Sequence, residues 1–184
     1  MPPRVSTDSR LPWPRIVANL LIYQTVWLAC VLGAAHGIPA LGVIAALVAV
    51  VWHLFQVDCP LTELKLVLLT GLAGGVWDSL LVMFGLIHYS SGAILPGLAP
   101  LWIISLWAAF ATTFNVSLRW LHGRFWLASL FGLLGGPLAW WAGAGLGALA
   151  LLDPLTALLV LGLGWAGLMP ALIKLAACFD GVSR

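Results

Sequence analysis

Charged side chains make up only 8% of this 184-residue chain, and they stand singly between long apolar runs. Ordinary soluble domains carry roughly 25%. Eight Lys and Arg with six Asp and Glu cannot give a chain of this length a hydrated surface, so the bilayer is its solvent. A spanning helix needs about 20 mostly apolar residues, and about six of them would use most of the chain. The sequence therefore predicts an all-α fold. It is a polytopic bundle of about six transmembrane helices in a single membrane domain, 1–184, with no room for a soluble domain.

The apolar runs fall at about 16–35, 38–55, 64–87, 100–121, 125–148 and 154–179. Arg4, Arg10 and Arg15 precede the first run as in a signal peptide. That run is longer than a signal core of roughly 7–15 residues, so it is expected to be a retained span. Pro39 suits a first helical turn, where its missing N–H would be unpaired anyway. Asp153-Pro154 reads as an N-cap followed by a first-turn proline. Pro137 and Pro170 fall inside the last two helices, where each removes one backbone hydrogen bond. Residues 88–99 are apolar but rich in Ser, Gly and Pro, and are expected to lie on the membrane surface as a loop rather than re-enter it.

Lys and Arg concentrate in cytoplasmic loops. With the N-terminus inside, six spans put Arg4, Arg10, Arg15, Lys65, Arg119, Arg124, Lys174 and Arg184 all in inner segments. The outer loops near 36–39, 88–99 and 148–153 then hold none. Both termini are expected in the cytoplasm. Trp13, Trp52, Trp102, Trp120 and Trp126 sit near helix ends and suit interfacial belts. Trp27, Trp77, Trp107, Trp140, Trp141 and Trp165 lie deeper, as bulky packing or as the lining of a pocket for an apolar ligand.

The few polar residues at membrane depth carry the functional reading. Asp78 is the one acid well inside a span and shares a helix face with Gly71, Gly75, Val82 and Gly85. Glycines mark close helix packing, so Asp78 should point into the bundle. There it serves as a proton-exchanging or substrate-binding carboxyl, or as a hydrogen-bonded tie between helices. His36 and His88 are the ionisable nitrogens expected near it. On the inner side, Asn19 and Tyr23 share a face with Arg15, and Asn115 shares one with Thr112 and Arg119. Helical rise puts Asn19 and Asn115 at similar depth, where they can meet. They act as interhelical glue or form a polar pocket with Glu63 at its mouth. Glu63 itself reads as a solvated residue at a helix start.

Several chemistries find no support. A net charge of +2 with scattered basic residues forms no nucleic-acid surface. Cys30, Cys59 and Cys178 make no CxxC or Cys/His pattern and read as free, small, buried hydrophobes. His36, His53, His88 and His122 fall near helix ends on both sides. No cofactor and no metal is expected, and no HExxH, GxSxG or phosphate-loop motif is present.

Four stretches carry a family resemblance: NLLIYQTVWLACVLGAA from Asn19, GGVWDSLLVMFG from Gly74, PLWIISLWAAFATTFNVSLRWL from Pro100 and GGPLAWWAGAGLG from Gly135. They resemble a bacterial integral membrane family catalogued as domain of unknown function 2878, over most of the chain. The family's positions fall on Asn19, Asp78, Trp107, Asn115 and Pro137. The resemblance implies the bacterial inner membrane and work linked to fatty-acyl lipid metabolism, with no established reaction. The expected role is a binding or accessory component that meets membrane lipids and a membrane protein partner or a second copy of itself. A small proton-coupled transporter using Asp78 is the alternative. A lipid-directed membrane enzyme using Asp78 or Glu63 comes last, since no nucleophile–base pair is evident.

Overall fold

A computed structural model describes residues 11–182 of the chain; Arg4, Arg10 and Arg184 lie outside them. Six helices form: α1 Trp13–Ala35, α2 Ala40–Leu54, α3 Pro60–Met83, α4 Leu101–Phe114, α5 Phe125–Gly145 and α6 Pro154–Cys178. Four of them, α1, α3, α5 and α6, are long and apolar enough to cross a membrane. The chain is a membrane protein built as an all-helical bundle. With 15 and 14 residues, α2 and α4 reach only about 22 Å at 1.5 Å per residue. For α4 the short length follows from its place. It packs against α1, α2, α3 and α6, and nine of its residues are buried, so protein rather than lipid surrounds it.

Local chemistry sets the helix ends. Prolines stand in the first turns of α1, α3 and α6, where no N–H is required of them. The Asp153 side chain caps α6, accepting from the Thr156 N–H at 3.5 Å and the Thr156 hydroxyl at 2.6 Å. The Thr156 hydroxyl, helped by the amide, holds this exposed carboxyl below the usual carboxylate range. Gly37 and Gly85 end α1 and α3 with φ of 75° and 66°, a conformation that a side chain would strain.

Two bounds differ from the apolar runs. The third helix begins at Pro60 rather than near 64, because the Cys59 carbonyl accepts from Thr62 and Glu63 N–H and starts the helix inside the polar break. The fourth stops at Phe114 rather than near 121. The Thr113 carbonyl turns to the N–H groups of Val116 and Leu118, and a 3-10 turn at Arg119–Leu121 follows. Gly85, expected on the helix face of Asp78, therefore lies past the end of α3. Pro137 and Pro170 sit inside continuous helices.

Two short strands, β1 Ile87–Tyr89 and β2 Leu149–Leu151, pair antiparallel. They clamp together the segments that follow α3 and α5. Ser91 Oγ donates to the Ala34 carbonyl at 2.7 Å, so the end of α1 joins them. From Ser90 onward the segment before α4 has no regular structure, with Ile94 and Leu95 exposed and Ala99 tied to Ser79 Oγ at 3.0 Å. It covers the helix ends and does not re-enter the bundle. At the opposite end Arg15 donates to the Gln56 carbonyl at 2.9 Å. There the Gly181 carbonyl accepts from the N–H groups of Asp58 and Cys59 at 3.0 Å. Arg15, Lys65, Arg119, Arg124 and Lys174, all the described basic residues other than histidine, lie toward this second end.

The tryptophans and cysteines divide differently from the sequence expectation. Trp13, Trp52, Trp120 and Trp126 are exposed, but Trp102 is 1% exposed. It lies under the segment after β1, packs edge-on against Tyr89 and donates to the Ser91 carbonyl at 3.1 Å. Trp141, expected deep, faces outward. Cys30 is buried against α2, while Cys59 and Cys178 are exposed at the helix ends, which corrects their reading as buried hydrophobes.

Candidate functional site

Asp78 is fully enclosed between α3 and α4. Gly71 and Gly75 let Ile104 of α4 come close, and Gly74 leaves room for the Trp107 ring, which a Cβ there would overlap. This approach brings the Trp107 indole N–H to Asp78 Oδ2 at 2.6 Å. From β1, the Tyr89 hydroxyl donates to Oδ1 at 2.5 Å. The histidines expected here are elsewhere. His88 points outward from β1, and His36 bonds the Leu32 carbonyl of its own helix at 2.8 Å. Among the described residues no Lys, Arg or His contacts Asp78. Two aromatic donors take the place of a cation. The Trp140 indole lies beside the same pair, yet its buried N–H has no hydrogen-bond partner.

Trp107 has a second role. Its ring stacks on Trp165 of α6 with centroids 4.6 Å apart and planes 12° apart. Trp140 packs edge-on against Trp165 at 5.6 Å, and Tyr23 of α1 lies 5.3 Å from Phe110. Gly132 and Gly136 of α5 make space for Trp165, whose ring or backbone a Cβ at either would strike. Together these rings line a groove of about 380 Å³ between α1 and α5, floored by α4 and α6. Leu138 and Phe131 are exposed on its rim. The groove is apolar apart from Tyr23 and Gln24 near the middle of α1. Tyr23 thus belongs to this wall and not to the polar cluster expected with Asn19. Gln24 lines the same wall.

At the second end, Glu63 is 0% exposed, which overturns its reading as a solvated helix-start residue. Its Oε1 accepts from Asn115 Nδ2 at 2.7 Å and from the Gly181 N–H at 2.9 Å. Its Oε2 pairs with His53 Nε2 at 3.1 Å. Asn115 also donates to the Phe179 carbonyl at 3.2 Å. Arg119 donates to the Asn115 carbonyl at 3.0 Å and pairs with Asp180. Glu63 therefore joins α2, α3, the end of α4 and the segment after α6. Asn19 and Asn115 do not meet. Asn19 instead donates to the Thr112 carbonyl at 3.1 Å and accepts from Ser117 Oγ at 2.7 Å.

Tyr89 and His53 escape the reading by sequence; Trp140 is among the deep tryptophans it offers as pocket lining, but its place beside Asp78 is not legible there. Tyr89 sits in a segment read as surface loop, and its place depends on β2, about sixty residues away in the chain. For His53 a signal existed. It and Glu63 flank the short break between α2 and α3, and a hairpin of two helices brings such flanking residues together. No group of three or more His, Cys, Asp or Glu able to hold a metal occurs among the described residues.

The family model described as Protein of unknown function (DUF2878) matches residues 16–171. No curated protein and no solved structure matches the chain.

Proposed function

Since the chain belongs to the DUF2878 family, whose function is unknown, we propose from its own site that it is a membrane-embedded binding protein, holding an apolar chain of lipid type in the aromatic groove. The observation that carries this reading is the groove itself. It has about 380 Å³ of space, walls of Trp107, Trp140, Trp165, Phe110 and Tyr23, and an opening between α1 and α5. Ligand pockets are typically apolar and aromatic, with a few polar groups that fix orientation. Here those groups are Tyr23 and Gln24. The role that follows is an accessory one in fatty-acyl lipid metabolism, in a bacterial inner membrane. The end that carries Arg15, Arg119 and Arg124 faces the cytoplasm, a placement supported by the positive-inside rule.

Asp78 fits this reading better than proton-coupled transport. Both of its oxygens already hold a donor, and it stands behind the groove wall rather than on it. It is a positioning residue that fixes the Trp107 ring. The groove wall also presents no paired nucleophile and base, which argues against an enzyme.

Gly135 supplies the test. It lines the groove, and a Cβ there meets nothing nearer than Phe131 at 3.9 Å. Gly135→Phe should fill the groove and leave the fold intact. Purified protein in vesicles is exposed to a diazirine-bearing fatty acid and the crosslinked peptides are mapped. Labelling should concentrate on α1, α4 and α5 and fall about tenfold in Gly135→Phe, equivalent to ~1.4 kcal/mol of binding. Labelling spread evenly over all lipid-facing helices, and unchanged by Gly135→Phe, would overturn the proposal.

A further inference from the structure

The opposite face of α1 carries a second set of cavities. A polar cavity of about 360 Å³ lies at the cation-rich end, lined by Arg15, Asn19, His53, Gln56 and Thr112. An apolar cleft of about 480 Å³ runs between α1 and α2, lined by Leu21, Thr25, Val26, Ala45 and Val48. The two share Ile22, Ala49 and Trp52, so they adjoin, one polar and one apolar. We propose that these adjoining cavities together bind one acidic phospholipid, its phosphate on Arg15 and one acyl chain between α1 and α2.

Dimensions and charge both favour this occupant. From Arg15 to Val26 the helix rises about 16 Å at 1.5 Å per residue. That is close to one leaflet, or half of a hydrocarbon core about 30 Å thick. Arg15 stands in the first turn of α1, at the start of a candidate span, where a basic side chain can meet lipid phosphate. One of its nitrogens donates to the Gln56 carbonyl. A guanidinium has five N–H donors, so others remain for a phosphate. Among the described residues no carboxylate lines the cavity. Glu63 stands behind His53 and is saturated by His53, Asn115 and Gly181. A zwitterionic headgroup finds no carboxylate among the lining residues to pair with its ammonium. His53 is 6% exposed and anchored by Glu63, so this wall is rigid. Trp52, half-exposed, bridges the polar and apolar parts as an interfacial ring does.

Native mass spectrometry of the full-length protein tests this. The protein is reconstituted in equal phosphatidylglycerol and phosphatidylethanolamine, then extracted in mild detergent. One phosphatidylglycerol should be retained in about tenfold preference, and Arg15→Gln should remove that preference while Arg15→Lys keeps most of it. Thr25 is exposed in the cleft, so Thr25→Trp should block the acyl chain and lower retention without touching the headgroup site. Gly135→Phe should leave retention unchanged, which separates this site from the aromatic groove. Equal retention of both lipids would overturn the proposal. So would wild-type retention in both Arg15→Gln and Thr25→Trp. Displacement of the lipid by inorganic phosphate would point to a bare anion site and overturn it as well.

Discussion

Two carboxyl groups are enclosed in this bundle, one toward each end, and they are held in different ways. Glu63 accepts from two side chains and one backbone N–H, and these come from α2, from the end of α4 and from the segment after α6. Asp78 accepts from two aromatic side chains, Tyr89 and Trp107, and from no backbone group. The first arrangement closes the chain on itself, since the Gly181 carbonyl also receives the N–H groups of Asp58 and Cys59. The second fixes the orientation of a ring that stacks on Trp165 and forms part of the wall of an open groove. A buried acid at membrane depth marks function by default. The contrast refines that rule: what the carboxyl holds, rather than the carboxyl itself, separates a structural tie from support of a binding wall.

The largest expected effect is at Glu63. Glu63→Leu leaves His53 and the Gly181 N–H without their acceptor inside the protein and Asn115 with the Phe179 carbonyl alone. Breaking such a buried network by removing one partner costs about 3–5 kcal/mol. Unfolding in mixed micelles, followed by tryptophan fluorescence, should show that loss, and Glu63→Gln should show a smaller one of about 1–3 kcal/mol. A Glu63→Leu protein as stable as wild type would erase the distinction drawn here. At Asp78 the effect should divide. Asp78→Leu orphans the Tyr89 hydroxyl and the Trp107 indole, a cost of about 1–3 kcal/mol. It should also lower fatty-acid crosslinking in the groove about tenfold, because Trp107 loses its tether. If Asp78→Leu changed stability but not crosslinking, Asp78 would be a second structural tie and the contrast would fail.

The sequence made one half of this contrast more readable than the other. Apolar run length located the six helices, and Asp153-Pro154 marked the start of α6 because capping is a local event. Asp78 was legible as inward-facing because Gly75 and Gly71, one and two turns before it, share its face. Its partners were not legible. Tyr89 is placed by pairing with β2, and Trp107 by the approach of α4 to Gly74. Neither contact leaves a periodic trace in the chain. Glu63 misled for a related reason. A polar break before a helix looks solvated, and only the return of residues 179–182 over it makes the site dry. The same return diverts the Asn115 side chain to Glu63 and Phe179, where α4 stops short of its apolar pattern. Trp102 was misplaced because the segment after β1 covers it.

The smallest effect sharpens the comparison most. Tyr89→Phe removes one donor from Asp78 and keeps the ring that packs edge-on against Trp102. Asp78 Oδ1 then needs a new partner. The Trp140 indole N–H is buried, unpaired and adjacent to the same carboxyl, so a small shift can supply it. The cost should fall at the low end for a lost hydrogen bond, about 1 kcal/mol, in the same micelle unfolding experiment. The Trp107 bond to Oδ2 is untouched, so crosslinking in the groove should stay near wild type. If Tyr89→Phe weakened crosslinking as much as Asp78→Leu does, the wall would depend on the whole carboxyl network. The link from Asp78 through Trp107 alone would then be wrong.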